Sequence, residues 1–106
     1  NIGYYSILAS DLVGTNGKIY AFEPEPENCK RIIKNIKINK SRNIELIPWA
    51  VSNKEGKVNL YLEEKGNCQH TFVSNKSEKK ISVKTTSLNN FFQNNMDIDI
   101  IKMDIK

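Results

Sequence analysis

The sequence has few of the residues that build metal sites and disulfide frameworks. Its 106 residues include two cysteines, Cys29 and Cys68, and one histidine, and the cysteines form no Cys-x-x-Cys pair. Neither a zinc-binding pattern nor a disulfide framework follows from this set, and we predict no metal site. Because Cys29 falls among apolar residues at helical spacing, we expect a buried, reduced thiol there.

Arginine and long apolar runs are scarce as well. The chain has two arginines against 14 lysines, the lysines are spread along it, and the formal net charge is +4. A nucleic-acid surface needs clustered basic residues and stacking platforms, so we expect solvated lysine faces and no nucleic-acid partner. No apolar run is long enough to span a membrane and no signal peptide is recognisable. We therefore expect a cytoplasmic protein without a membrane partner.

The two ends of the sequence resemble cuts in a longer chain. It begins at Asn1 instead of a methionine, inside what reads as a turn, and it stops at Lys106 directly after an apolar run. We therefore expect residues 1–106 to be a single partial domain, truncated at both ends. The oligomeric state is not predictable from these features.

The first half of the chain alternates between helical and strand patterns. Apolar spacing predicts a helix over residues 3–13 and an amphipathic helix over residues 24–39. The expected core faces of these two helices are Tyr5, Leu8, Ala9 and Leu12 in the first and Cys29, Ile32, Ile33 and Ile36 in the second. Residues 18–23 and 43–51 predict buried strands. This order is typical of an α/β fold, in which right-handed crossovers connect parallel strands.

The second half of the chain begins with strands of a different kind. Residues 58–62 and 81–86 alternate between apolar and polar side chains, which predicts an antiparallel pair on either side of a polar loop. Ser87 is placed to cap a short helix. The apolar run of residues 98–104 predicts a last sheet strand, so the antiparallel pair is inserted before it.

Glu23 is the strongest candidate for a ligand-binding residue. Ligands of open α/β sheets bind at the carboxyl ends of the strands, and Glu23 follows a predicted strand, 20 residues after Gly3. In nucleotide sites of this architecture, an acid at about this distance past a glycine turn accepts hydrogen bonds from ribose hydroxyls. We therefore predict that Glu23 binds a ribose. The alternative is an exposed acid that stabilises the next helix N-terminus.

Other candidates stand at the same predicted edge. Asn1 to Gly3 fit the tail of a glycine-rich turn, where the backbone approaches a ligand closely. Trp49 is equally suited to stack on a nucleotide base and to pack against the neighbouring helix. Asp104 fits a residue that orients an acceptor or an ammonium group, or a surface acid.

Five segments in series resemble the FkbM family of methyltransferases, and together they extend over nearly the whole chain. They are residues 1–6, 19–28, 47–56, 83–88 and 100–105. The resemblance implies a Rossmann-like methyltransferase fold that uses S-adenosylmethionine to methylate an oxygen, often a hydroxyl of a sugar or natural product. The expected partner is thus a small-molecule or glycan acceptor.

By motif position, the resemblance also implies roles for individual residues. Asn1, Ile2 and Gly3 end the cofactor glycine turn, Glu23 beside Pro24 holds the ribose hydroxyls, Trp49, Ala50 and Val51 flank adenine, and Asp104 is the catalytic candidate near the acceptor. The strand that usually precedes the glycine turn and the Glu-Gly that usually follows Ile105 do not occur in this sequence. We therefore expect the 106-residue chain alone to be inactive.

Two other functions share part of this pattern. A nicotinamide-dependent oxidoreductase has the same sheet and ribose acid, but it prefers a glycine where Ser6 stands. A non-catalytic nucleotide-binding module, such as a degenerate methyltransferase, is the second alternative.

Overall fold

The computed structural model describes residues 3–62, 79–93 and 97–103. The chain divides into two compact units, residues 1–50 and residues 51–106. None of the described helices is both long and apolar enough to cross a membrane. The described elements, in chain order, are α1 (Tyr4–Val13), β1 (Ile19–Phe22), α2 (Pro26–Ile38), β2 (Ile44–Ile47), β3 (Ala50–Val51), β4 (Gly56–Leu62), β5 (Lys79–Thr86) and α3 (Leu88–Phe91).

The helix predicted at the start of the chain is confirmed, and glycines mark both of its ends. Gly3 is its N-cap in the left-handed region, with φ 84°, and Gly14 follows its last residue with φ 71°. A side chain disfavours positive φ because its Cβ crowds the backbone. Glycine is therefore the favoured residue both before and after the helix.

The helix predicted over residues 24–39 is also confirmed, as α2. Glu25 is its N-cap and Pro26 its first residue, where proline removes no hydrogen bond that the helix needs. Cys29 and Ile32 are buried as predicted, whereas the side chain of Ile33 is 44% exposed. The buried face of α2 is therefore narrower than its apolar pattern suggested.

β1 and β2 are parallel neighbours, as the alternation of helices and strands predicted. Their register runs from Ile19 opposite Ile44 to Phe22 opposite Ile47. α1 contacts both strands and α2 contacts β2. Parallel neighbours need a crossover connection, and α2 supplies it. The α/β class is confirmed, although the residues of β1 are half-buried and not fully buried.

Asn43 connects the end of α1 to the start of this sheet. Its side-chain Nδ2 donates to the backbone carbonyls of Ser10 and Gly14, at 3.1 and 2.8 Å. Its Oδ1 accepts a hydrogen bond from the Ser10 hydroxyl, and its backbone carbonyl accepts one from the N–H of Ile19 at 2.8 Å. The last carbonyls of a helix lack partners within it, so Asn43 satisfies groups that would otherwise be unpaired.

The second unit contains the predicted antiparallel pair. β4 and β5 pair from Gly56 opposite Thr85 onwards, and the sheet order is β3-β5-β4. Leu60 and Val83 are buried on one side of this pair. α3 follows, and its predicted cap is confirmed, because the Ser87 hydroxyl accepts the backbone N–H of Asn90 at 3.1 Å.

The predicted core face of α1 is wrong. Tyr5, Leu8 and Leu12 are 58, 47 and 78% exposed, and the buried residue of the helix is Ser10. α1 and α2 contact a sheet of two described strands. Neighbouring strands are about 4.8 Å apart, whereas the axes of two packed helices are about 8–10 Å apart. Such a sheet is too narrow to cover the apolar surface of both helices.

The strand predicted over residues 43–51 is divided into two. β2 ends at Ile47 and β3 begins at Ala50, and the two belong to different sheets. Pro48 stands between them and has no backbone N–H to donate to a ladder. The apolar run therefore continues through a break in the sheet.

The strand predicted over residues 98–104 is not formed in its described part. Residues 97–103 have neither helix nor strand, and Ile100 and Ile101 are 87 and 60% exposed. β-propensity is expressed only when a neighbouring strand supplies backbone partners and packing. Among the described strands, none pairs with this segment.

Candidate functional site

Glu23 lies where the sequence predicts it, directly after β1 at the carboxyl end of the parallel pair. Its backbone N–H donates to the carbonyl of Ile47 at 3.0 Å, and Ile47 is the last residue of β2. The ladder thus extends one residue past β1 and fixes the main chain of Glu23. The residue is only 8% exposed, so the exposure that the alternative interpretation expected is wrong. The interaction with the next helix N-terminus that it expected is present, because the Glu23 carboxylate accepts the backbone N–H of the N-cap residue Glu25.

The side chain of Glu23 is held by the segment that starts α2. The backbone N–H of Glu25 donates to Glu23 Oε1 at 2.9 Å. The carboxylate of Glu25 in turn accepts the backbone N–H of Asn28 at 2.6 Å, which caps α2. Two successive carboxylates are therefore oriented by backbone donors, one from the turn and one from the helix end.

Cys29 completes this local network from the first turns of α2. Its thiol donates to the backbone carbonyl of Glu23, with 3.0 Å between Sγ and O, and the predicted buried, reduced state is confirmed. Burial, with smaller effects from Glu23 and Glu25, raises the pKa of the thiol to about 11. The thiol therefore stays protonated at neutral pH and can donate its hydrogen bond to the Glu23 carbonyl.

Gly3 lies against the same face of α2. A Cβ built on Gly3 would stand 3.3 Å from Cγ1 of Ile32, closer than ordinary side-chain contacts allow. Ile32 follows Cys29 by three residues, so the two lie together on one side of the helix. Through these two residues, α2 contacts both the start of α1 and the residue that follows β1.

The other predicted residues of the first unit take intermediate positions. Pro24 is half-buried between Glu23 and Glu25, and Trp49 is half-buried in the break after β2. Ala50 is only 2% exposed, whereas Val51, the first residue of the second unit, is half-buried. The predicted contacts of Trp49, Ala50 and Val51 with adenine stay predictions.

Three predicted site residues lie outside the described residues. They are Asn1, Ile2 and the catalytic candidate Asp104. Their roles stay predictions, as does the acceptor side of the site.

Two residues that the sequence did not single out belong to this site. Glu25 and Asn28 are 5 and 4% exposed. The sequence did contain a signal for them, because an N-cap acceptor bonds a backbone N–H three residues later, and Asn28 follows Glu25 by three. The side-chain Nδ2 of Asn28 is buried and has no hydrogen-bond partner among the described residues, which costs free energy in a folded protein. Three polar residues are thus buried within six positions, which is unusual for a packing core.

The described part of the candidate site offers hydrogen-bond acceptors. Among the described residues, no group of three or more His, Cys, Asp or Glu is placed to hold a metal ion. A carboxylate with one oxygen already oriented by a backbone donor is suited to accept hydrogen bonds from hydroxyl groups. The predicted binding of a ribose by Glu23 stays a prediction.

Shallow depressions of the first unit lie elsewhere. One of about 410 Å³ is lined by residues around Lys18 and Asn43, at the amino ends of β1 and β2. Another of about 310 Å³ lies between α1 and α2, beside Tyr4 and Leu8. Neither includes Glu23. Ligands of parallel sheets bind at the carboxyl edge, which is where Glu23 lies.

Comparison with known proteins gives one match. The model of the methyltransferase FkbM domain family matches residues 1–106, the whole length of the chain. Neither a search of curated proteins nor one of solved structures gives a match.

Proposed function

Because the chain belongs to the methyltransferase FkbM family, we propose that it takes part in methyl transfer from S-adenosylmethionine to a hydroxyl oxygen of a sugar or natural product. The observation that carries this proposal is the buried carboxylate of Glu23 at the carboxyl end of β1. The backbone N–H of Glu25 orients its Oε1, and because a carboxylate accepts several hydrogen bonds, we propose that it also accepts those of the two hydroxyls of a ribose.

The residues of the first unit fit the adenosine half of this cofactor. A hydroxyl bonded to a carboxylate contributes about 1.5–3 kcal/mol, and the donor at Glu25 means that little reorganisation accompanies binding. Gly3 has no side chain, so the start of α1 can approach a ligand closely. Trp49, Ala50 and Val51 are proposed to flank the adenine on the strength of the family resemblance.

The reaction itself needs alignment more than covalent chemistry from the protein. The cofactor, when bound, supplies an electrophilic methyl group on sulfur. Held by Glu23 and Gly3, it would offer this methyl carbon for transfer from sulfur to the acceptor oxygen, whose hydroxyl proton would pass to a base. We propose that Asp104 orients the acceptor. The contribution of the protein is then proximity and alignment of the two reacting groups.

Calorimetric titration with S-adenosylhomocysteine and with NAD tests this proposal. We expect binding of S-adenosylhomocysteine, and we expect Glu23→Ala to weaken it by roughly tenfold or more, the equivalent of about 1.4 kcal/mol. Glu27→Ala is the matched control, because Glu27 is an exposed acid of the same segment that pairs with Lys30. Binding of NAD alone would favour the oxidoreductase, and an unchanged affinity in Glu23→Ala would remove the ribose assignment.

A further inference from the structure

The side-chain amide of Asn28 is buried in the first turn of α2, and its nitrogen is unpaired in the described part of the chain. Asn28 is 4% exposed, and no described residue accepts a hydrogen bond from its Nδ2. Buried polar groups of native proteins are nearly always paired, and each exception asks for an explanation, such as a group that the protein binds. This donor is therefore a candidate contact for a ligand.

Folding alone does not explain an asparagine at this position. Asparagine forms helices less readily than alanine or leucine, and a leucine of similar size would fill the space without an unpaired donor. The group of Asn28 that caps α2 is its backbone N–H, which donates to Glu25 Oε2 at 2.6 Å. Any residue except proline supplies that group. The side-chain donor thus costs free energy that the cap does not require.

The position of Asn28 is tied to that of Glu23. The Glu23 carboxylate accepts the backbone N–H of Glu25, and the Glu25 carboxylate accepts the backbone N–H of Asn28. Cys29, the next residue, donates its thiol hydrogen to the Glu23 carbonyl. Glu23 and Asn28 therefore belong to one buried network at the start of α2.

An acceptor and a donor in one network indicate the chemistry of the ligand. The Glu23 carboxylate accepts hydrogen bonds, and Asn28 Nδ2 donates them. A hydroxyl group does both, whereas an ammonium group only donates and an ionised phosphate only accepts. Neighbouring hydroxyls of a sugar are therefore the groups that match this pair.

We propose that Asn28 is a specificity-determining residue of the Glu23 site, whose Nδ2 donates a hydrogen bond to a hydroxyl oxygen of the ribose that Glu23 binds. This inference rests on the proposed function, because the ribose is that of the proposed cofactor. A turn of the amide about its Cβ–Cγ bond brings the donor to the ligand, and this torsion is soft. The donor is then paired only in the complex, so Asn28 favours ligands that carry the hydroxyl.

Calorimetric titration with S-adenosylhomocysteine and with its 2′-deoxy and 3′-deoxy analogues tests this role. We expect Asn28→Leu to weaken the binding of S-adenosylhomocysteine by roughly five- to tenfold. The unaltered protein should bind both analogues more weakly, and Asn28→Leu should discriminate less against one of them. That analogue lacks the hydroxyl that Asn28 bonds, so the two losses are not additive.

Thermal unfolding without ligand gives a second measurement. Asn28→Leu and Asn28→Ala both remove the unpaired donor, so at least one of them should unfold at no lower temperature than the unaltered protein. A lower unfolding temperature for both would overturn the proposal, because the amide would then stabilise the fold. Asn39→Leu is the matched control, since Asn39 is an exposed asparagine at the other end of α2, and it should leave binding of all three ligands unchanged.

Failure of this inference is distinguishable from failure of the proposed function. If the unaltered protein does not bind S-adenosylhomocysteine, both are wrong. If Glu23→Ala weakens binding but Asn28→Leu does not, or if Asn28→Leu weakens all three ligands by the same factor, only the role of Asn28 is overturned.

Discussion

The thiol of Cys29 donates a hydrogen bond to the backbone carbonyl of Glu23, with 3.0 Å between the two atoms. The donor lies on α2 and the acceptor ends the extension of β1, so this bond joins the helix to the carboxyl edge of the sheet. Both partners are buried, which strengthens the bond and removes the thiol from solvent.

We predict that the stability of the protein depends on the protonation of Cys29. The pKa of the folded thiol is raised to about 11, above its value in the unfolded chain, so the folded state favours the neutral form. The contribution of the Cys29 thiol to the free energy of unfolding is fully present below the pKa of the unfolded thiol, near 9. It is lost as the pH rises towards 11, the pKa of the folded thiol.

Urea unfolding at a series of pH values measures this dependence. We expect the stability difference between the protein and its Cys29→Ala variant to shrink between pH 9 and pH 11. Both proteins should carry Cys68→Ser, so that one thiol is compared with none. A difference that stays constant over this range would contradict the prediction.

Glu25 is predicted to matter more than its neighbour Glu27, although both are acids at the start of α2. Glu25→Ala removes the N-cap acceptor, which costs about 1 kcal/mol, and it loosens the turn that orients Glu23. Glu27→Ala removes an exposed pair with Lys30, which contributes about 0.5 kcal/mol or less.

Chemical denaturation and titration with S-adenosylhomocysteine check this difference. We expect Glu25→Ala to lose both stability and affinity and Glu27→Ala to keep its affinity. The proposed role of Glu25 fails if the two variants bind equally well.

Gly3 and Gly14 are both predicted to tolerate alanine poorly, for different reasons. Gly3 is in the left-handed region, with φ 84° and ψ 10°, which costs an alanine about 1–2 kcal/mol. Gly14, with φ 71° and ψ −164°, is in a region that essentially only glycine occupies, at a cost of about 1–3 kcal/mol. A new Cβ at Gly3 would also meet Ile32 at 3.3 Å, whereas no atom lies within 4 Å at Gly14. We therefore expect both variants to unfold at a lower temperature, and only the loss at Gly3 to depend on Ile32.

A double variant separates the packing effect from the backbone effect at Gly3. Ile32→Val shortens the side chain that faces the glycine, so Gly3→Ala should cost less in its presence than in the unaltered protein. Strictly additive costs would show that Ile32 does not limit the space there.

Asn43 is predicted to contribute more to stability than Asn39, an asparagine with one exposed side-chain bond. Asn43→Ala leaves the carbonyls of Ser10 and Gly14 without their side-chain donor, at a cost of about 1–3 kcal/mol. Asn39→Ala removes a single exposed bond to Asn35, for which we expect about 0.5–1 kcal/mol. Comparable urea midpoints for the two variants would count against the assigned role of Asn43.

Short-range signals in the sequence predicted most of the described elements. Helix ends at Gly14 and Pro26, the cap at Ser87 and the alternation in β4 and β5 depend on interactions within a few residues, and each is present in the structure. The position of Glu23 follows from the same signals, because a strand that ends before a proline leaves the next side chain at the sheet edge. The serial motifs identified the family.

Long-range packing decided the features that the sequence left open. The exposure of Leu8 and Leu12 depends on how much sheet lies under α1, which no helical pattern contains. The orientation of the Glu23 carboxylate by Glu25 depends on the path of the chain into α2, and the pairing of Lys57 with Lys84 depends on the register of strands separated by a loop. A local pattern determines which element forms and where it ends. The faces of helices and strands that pack against each other are decided only in the folded chain, where segments distant in sequence compete for the same surface.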